Sequence, residues 1–154
     1  MYTNNCDVEL TGYFDSDWAE NLDDIKSTSG YVFNIGTGVV SWSSKKQPTI
    51  SLSSIEAKYK ALCNATCEVV WLRRILEYIG NKQIGPTILK CDNQSSIKLT
   101  HDSIYHARTK HIEIQHHFVR EKIHSKEIDL IYCNTTDNVA AIFTKPQPYW
   151  KDEF

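Results

Sequence analysis

The chain has no excess of basic residues. Its 154 residues carry 17 Lys and Arg against 19 Asp and Glu, a formal net charge of −2. That excludes a protein that holds nucleic acid by its global field, so any phosphate contact must come from a local basic patch. No run of 18 apolar residues occurs, and no membrane span is expected. No apolar run follows Met1 either, so no signal peptide is expected and a cytoplasmic or nuclear setting is the reading. The five cysteines (Cys6, Cys63, Cys67, Cys91, Cys133) are odd in number and contain no Cys-x-x-Cys pair. Reduced thiols fit this better than a disulfide framework. Cys63 and Cys67 stand four apart and read as buried small apolar residues in preference to a metal pair. The six histidines, His101, His106, His111, His116, His117 and His124, show no paired Cys/His pattern for zinc. The final Lys151-Asp152-Glu153-Phe154 only approximates an ER-retention signal. There is no repeat, low-complexity tract or linker. One domain is expected over residues 10–147, with a flexible segment at 1–9 and a tail at 148–154.

What is present is a strong alternation of element signals. Leu10 to Trp18 reads as a strand ending in an acidic turn, and Glu20 to Lys26 as a loop. Ser29 to Ile35 is rich in β-branched and aromatic residues. Gly36-Thr37-Gly38 signals a hairpin into a strand at Val39 to Ser43. A long helix follows, with Ile55, Tyr59, Leu62, Val69, Leu72, Leu76 and Ile79 near a 3.6-residue period. Ser53 and Glu56 make a capping-box signature at its start, and Gly80 is the stop. Pro86 to Cys91 reads as a short buried strand, and Gln94 to Leu99 as a short helix. A second amphipathic helix is expected from about Thr109 to His124, then a strand at Ile128 to Cys133 and a short helix at Asp137 to Phe143. The order βββ-α-β-α-α-β-α implies an α/β fold: a five-stranded mixed sheet, its first three strands antiparallel, with helices on both faces.

Four acids fall where strand ends and helix starts can converge: Asp15, Glu56, Asp92 and Asp137. Carboxylates forced together need a cation, and all-oxygen ligation favours Mg²⁺ or Mn²⁺. Each acid also has a local use. Asp15 can make an Asx-turn, Glu56 can complete the capping box, and Asp92 and Asp137 can cap the helices after them. On spacing alone, capping is the commoner use of such acids.

Seven motifs in order carry a resemblance. They are Gly12-Tyr13-Phe14-Asp15-Ser16-Asp17-Trp18-Ala19, Lys26-Ser27-Thr28-Ser29-Gly30-Tyr31, and Ser41 to Pro48 followed by Leu52-Ser53-Ser54 and Glu56-Ala57. The others are Trp71-Leu72-Arg73-Arg74, Cys91-Asp92-Asn93-Gln94-Ser95, Arg108-Thr109-Lys110-His111-Ile112 and Ile142-Phe143-Thr144-Lys145-Pro146. Spanning nearly the whole chain, they resemble the ribonuclease H domain of copia-type retrotransposon polyproteins. The resemblance implies a ribonuclease-H-like fold and a metal-dependent endonuclease that cuts RNA in RNA–DNA hybrids. It implies two Mg²⁺ ions (Mn²⁺ as substitute), with Asp15 bridging both and Glu56 and Asp92 each completing one. A reverse transcriptase in a parent polyprotein is an implied partner.

Two positions depart from that pattern. Where the family has an Asp before Ile-Phe-Thr-Lys-Pro, this chain has Ala141, and a methyl group ligates no metal. Asp137, one helical turn earlier, reads as a cap more than a replacement ligand. Lys58 stands where the family commonly has Glu and reads as an exposed helix residue able to touch phosphate. Impaired catalysis is therefore expected, with a silent module that keeps the fold and binds nucleic acid or protein as the alternative. Lys45, Lys46 and Gln47 are candidate phosphate contacts, read as a loop. Asn93, Gln94 and Ser95 could read the minor groove, with helix capping the alternative. Arg108, Lys110 and His111 form a further basic cluster.

Overall fold

The computed structural model describes residues 8–18, 25–101 and 110–145, and the side chains of 110–112 lie outside the description. Its elements are β1 (Leu10–Asp17), β2 (Thr28–Ile35), β3 (Gly38–Lys46), α1 (Ser54–Tyr78), β4 (Thr87–Cys91), α2 (Gln94–His101), α3 (Lys110–His124) and β5 (Ile128–Tyr132). They form one sheet in the order β3-β2-β1-β4-β5. The β1–β2 and β2–β3 pairs are antiparallel, and the β1–β4 and β4–β5 pairs are parallel. The expected mixed sheet is observed, and so is the element order as far as β5.

Alternation along the strands decides what faces α1. Leu10 and Phe14 of β1, Phe33 of β2 and Leu89 of β4 are fully buried, and they pack with Leu62, Ala65, Val69, Leu72 and Leu76 of α1. Full burial of each large apolar side chain is worth about 1.5–3 kcal/mol. Gly12 lies on this same face, and a Cβ there would come within 2.4 Å of the Phe33 ring. Asp15 and Gly30 are partners across β1–β2 and lie on the opposite face.

The helix signals are realised in detail. The Ser53 side chain accepts from the Glu56 amide at 3.1 Å. The Glu56 carboxylate reaches back to the Leu52 amide at 3.0 Å, one residue before the usual capping-box partner. At the other end, Gly80 adopts φ 89°. The Asn81 amide bonds Leu76 O at 2.7 Å and the Gly80 amide bonds Glu77 O at 3.1 Å, a Schellman close. The same closure ends α3, with Glu127 N to Lys122 O at 3.0 Å and Lys126 N to Ile123 O at 3.1 Å. There the left-handed position is held by Lys126, at φ 61°.

Three local expectations are corrected. β3 runs on past Ser43, because Ser44, Lys45 and Lys46 pair with Gly30, Ser29 and Thr28. Lys45 and Lys46 therefore stand on a strand and not on a loop. The helix expected at Asp137 to Phe143 is two short 3-10 turns, Thr135–Asp137 and Val139–Phe143. They are divided by the buried Asn138, whose side chain accepts from the Ala140 amide at 3.2 Å and donates to Phe14 O at 3.2 Å. Asn138, and not Asp137, is the cap. Finally, Cys63 is buried but Cys67 is exposed, so the two are not a buried apolar pair.

Candidate active site

Asp15 is the only acid of β1 that the structure seals completely, at 0% exposure. Burying a carboxylate this way is costly unless it is paired and hydrogen-bonded. The local sequence supplies the partners. Gly30 leaves room for the second 3-10 turn to cross the sheet, and a Cβ there would meet Thr144 Cγ2 at 2.8 Å and Phe143 Cβ at 2.9 Å. That close crossing delivers the Thr144 hydroxyl, which donates to Asp15 Oδ2 at 2.7 Å. Lys145 Nζ stands 4.0 Å from the same oxygen.

Asp92 reaches Asp15 through the sheet register. Tyr13 of β1 is matched with Lys90 of the parallel strand β4, so two residues further along each chain Asp15 and Asp92 come side by side. Lys58 of α1 lies between them. Its Nζ is 2.5 Å from Asp92 Oδ1 and 3.3 Å from Asp15 Oδ1. The contact to Asp92 is a hydrogen bond. The contact to Asp15 acts by charge, since Asp15 Oδ1 has no hydrogen-bond partner of good geometry. Burial pushes the Asp92 carboxyl up, but the hydrogen bond and charge of Lys58 outweigh that and hold it below the usual carboxylate range. Burial likewise pulls Lys58 down, and Asp92 and Asp15 more than reverse it, so the ammonium is held more firmly than usual.

Glu56 is not brought to this pair. It lies two residues before Lys58, which turns its side chain roughly 200° around the helix. Its carboxylate bonds the Leu52 amide and pairs with Lys60 Nζ at 3.1 Å. Lys60 is itself almost buried, donating to Thr49 Oγ1 at 3.0 Å, Ile50 O at 3.2 Å and Ser51 Oγ at 3.1 Å. Asp137 is exposed at the end of its 3-10 turn, lining a groove with Tyr13, Lys90, Tyr132, Cys133 and Thr136. Ala141 brings no side-chain ligand to the site; its carbonyl accepts from the Thr144 hydroxyl at 3.2 Å.

Among the described residues, no three His, Cys, Asp or Glu side chains are arranged to hold a metal ion. The donor set explains why. Asp15 and Asp92 face two ammonium groups, Glu56 is committed to the helix start, and the expected fourth acid is Ala141. As they stand, these residues do not fit a two-ion centre.

The remaining candidates divide. Lys45 and Lys46 are exposed beside a groove that also takes in Ser29, Ser43 and Asn64. Gln47 is 2% exposed; its amide donates to Ser29 Oγ at 2.7 Å and Ala57 O at 2.8 Å, and accepts from Ser51 Oγ at 2.8 Å. It braces β2 to α1 and offers nothing to a ligand. Asn93 caps α2, accepting from the Ser96 amide at 3.0 Å, while Gln94 and Ser95 are exposed. Arg108 lies outside the described residues; Lys110 and His111 open α3, with side chains outside the description.

Lys58 was expected on the exposed helix face, and its 14% side-chain exposure corrects that. The signal was available: position 58 follows Ile55 by three and precedes Leu62 by four, which puts it beside the core stripe. Thr144, Lys145 and Asn138 gave no such signal, because their contacts to β1 span more than a hundred residues.

No family model matches the chain. It is 40% identical over 147 residues to the retrovirus-related Pol polyprotein from transposon TNT 1-94 of Nicotiana tabacum, covering 96% of this chain and 11% of the relative. It spans about a tenth of the length of each curated polyprotein relative it matches. Its structure aligns with the N-terminal ribonuclease H domain of rv2228c from Mycobacterium tuberculosis, at TM-score 0.64 and 11% identity over 89% of this chain and 91% of that one. It also aligns with LC11-RNase H1, solved in complex with an RNA/DNA hybrid, at TM-score 0.60 and 13% identity over 88% and 94%. The homologues of the chain are copia-type, retrovirus-related Pol polyproteins of transposons, and its fold is ribonuclease-H-like.

Proposed function

We propose that the chain is a retrotransposon-derived ribonuclease H domain that engages RNA–DNA hybrids and is impaired in cutting the RNA strand. The observation that carries this reading is the Asp15–Asp92 pair. Asp15 lies on β1 and Asp92 directly follows the neighbouring parallel strand β4, and the charge of the pair is already balanced by Lys58 and Lys145. Hybrid engagement is supported by the solved hybrid complex of LC11-RNase H1, a protein of the same fold. It is supported too by the exposed Lys45 and Lys46 on β3 and the exposed Gln94 and Ser95 at the start of α2, just past Asp92 and Asn93. The lysines would contact phosphate, and the two polar residues would meet base or ribose edges. Homology to Pol polyproteins supports a reverse transcriptase as the partner in a parent protein.

The test incubates the purified protein with labelled RNA–DNA hybrid, in Mg²⁺ and then Mn²⁺, and scores binding and cleavage separately. Binding is expected to weaken steeply with salt and to survive Asp15→Asn. Cleavage is expected at least about 100-fold below that of a Lys58→Glu/Ala141→Asp variant, which restores two carboxylates. Absence of hybrid binding at low salt would overturn the proposal. The retention and adjacency of Asp15 and Asp92 favour a second reading, a slow but working nuclease. Metal-dependent cutting by the wild type that disappears in Asp15→Asn would establish it.

A further inference from the structure

We infer that Lys58 is the protein's own cation for the Asp15–Asp92 pair, so that this centre is held together without a divalent ion and closed to one. The inference deepens the reading of the same site as an impaired ribonuclease H centre. Two carboxylates, at 0% and 5% side-chain exposure, stand side by side. Like charges that close force one group to stay protonated unless a cation neutralises both. Here the cation is covalently part of α1.

The geometry makes occupancy exclusive. Lys58 contacts Oδ1 of Asp92 and Oδ1 of Asp15 and so fills the space between the two carboxylates. A Mg²⁺ ion needs oxygens at about 2.1 Å and cannot share that space with an ammonium. Oδ2 of Asp15 accepts a hydrogen bond from the Thr144 hydroxyl at 2.7 Å, with Lys145 4.0 Å away. Two carboxylates thus face two ammonium groups, and no net negative charge is left to draw a dication. Nor can Lys58 swing away at no cost. Its side chain is 14% exposed and its ammonium would lose both partners.

Lys60 shows that the helix does not place an ammonium here by default. It leaves the same helix two residues later and goes to Glu56 and the loop before α1, and not to the strands.

The test needs no nucleic acid, so its failure is separable from failure of hybrid engagement. Mn²⁺ is titrated into the full chain and followed by electron paramagnetic resonance, and thermal unfolding is recorded in chelator and in millimolar Mg²⁺. For the wild type, no Asp15-dependent Mn²⁺ binding and no shift of Tm between the two conditions are expected. Lys58→Gln is expected to lower Tm in chelator by on the order of 10 °C. Added Mg²⁺ or Mn²⁺ should then recover stability, because the pair has lost its cation. If that variant folds only when the metal is present, the outcome supports the inference equally. One tightly bound Mn²⁺ in the wild type, lost in Asp15→Asn, would overturn it. So would a Lys58→Gln protein as stable in chelator as the wild type.

Discussion

Lys58 and Lys60 leave α1 two residues apart and both bury an ammonium, yet they answer to different parts of the chain. The partners of Lys60 lie within eleven residues of it: Glu56, Thr49, Ile50 and Ser51. Lys58 is held by Asp92, 34 residues on, and by Asp15 on the first strand. One cation closes a local turn. The other ties a helix to two parallel strands that meet only when the sheet has formed. The local group is built from the capping sequence itself, whereas the long-range group depends on topology. That difference decides which of the two holds the fold together and which is exposed to rewriting of function.

The largest effect is expected where the long-range tie is broken. Removing one partner of a buried pair costs about 3–5 kcal/mol, since the remaining charges are left uncompensated. Lys58→Gln and Asp15→Asn should each fall in or near that range, and the double variant should lose clearly less than the sum. A double-mutant cycle from urea unfolding measures the coupling, expected at about 1–3 kcal/mol. Strict additivity would mean that Lys58 and Asp15 do not act on each other, and the comparison with Lys60 would lose its basis.

Lys60→Met should cost less, about 2 kcal/mol, because Glu56 keeps the Leu52 amide, Ser51 keeps Gln47 and the exposed Thr49 hydroxyl can turn to solvent. Its stability should not respond to Mg²⁺, whereas that of Lys58→Gln should. Parallel melts of the two variants, with and without the ion, sharpen the contrast directly. A metal response in Lys60→Met would mean that Glu56 can leave the helix start and join the strands.

The same division governs how much was legible in the sequence. Strands, helices and their order were read from periodicity and turn chemistry, because those signals are local. The Ser53–Glu56 cap and the Gly80 stop belong to that class. So does Asn93 as the cap of α2, an alternative held open beside nucleic-acid contact. Asp15, Glu56, Asp92 and Asp137 were all singled out because they fall at strand ends and helix starts, and of these only Asp15 and Asp92 share a partner, Lys58. What was not legible depends on register. Glu56 and Lys58 are near neighbours in sequence, and only the helix phase relative to the sheet decides which one faces Asp15. Gln47 looked like a phosphate contact by its place after two lysines. Its burial follows from β3 running three residues further than the β-branched pattern showed.

A smaller effect tests a second local pair on the same helix. The Cys63 thiol donates a hydrogen bond to Cys67 one turn on, which brings the Cys67 thiol down to about 7 and raises Cys63. The thiolate is the nucleophile and forms as pH rises through that value. Cys67, the exposed member, should therefore alkylate with a rate whose midpoint lies near pH 7. Cys63→Ala should move that midpoint up toward that of an ordinary thiol. Mass spectrometry of iodoacetamide-treated protein over a pH series reads both. A midpoint unchanged by Cys63→Ala would remove the pair.

The smallest effect lies at the end of α3, where the contact is as local as contacts become. Gly80 and Lys126 occupy the same place in two Schellman closures, at φ 89° and φ 61°. Only one of them lacks the Cβ that crowds a left-handed backbone. Lys126 is exposed, so its replacement removes no buried contact. Lys126→Gly relieves the strain but gives the unfolded chain more freedom, and the net gain expected is about 0.5–1 kcal/mol. Chemical denaturation should show a higher midpoint with unchanged slope. Gly80→Ala should move the midpoint the other way, by a similar amount. If Lys126→Gly lowers stability, the lysine is held at that turn by something other than the helix closure, and even the most local feature of this fold would be set from a distance.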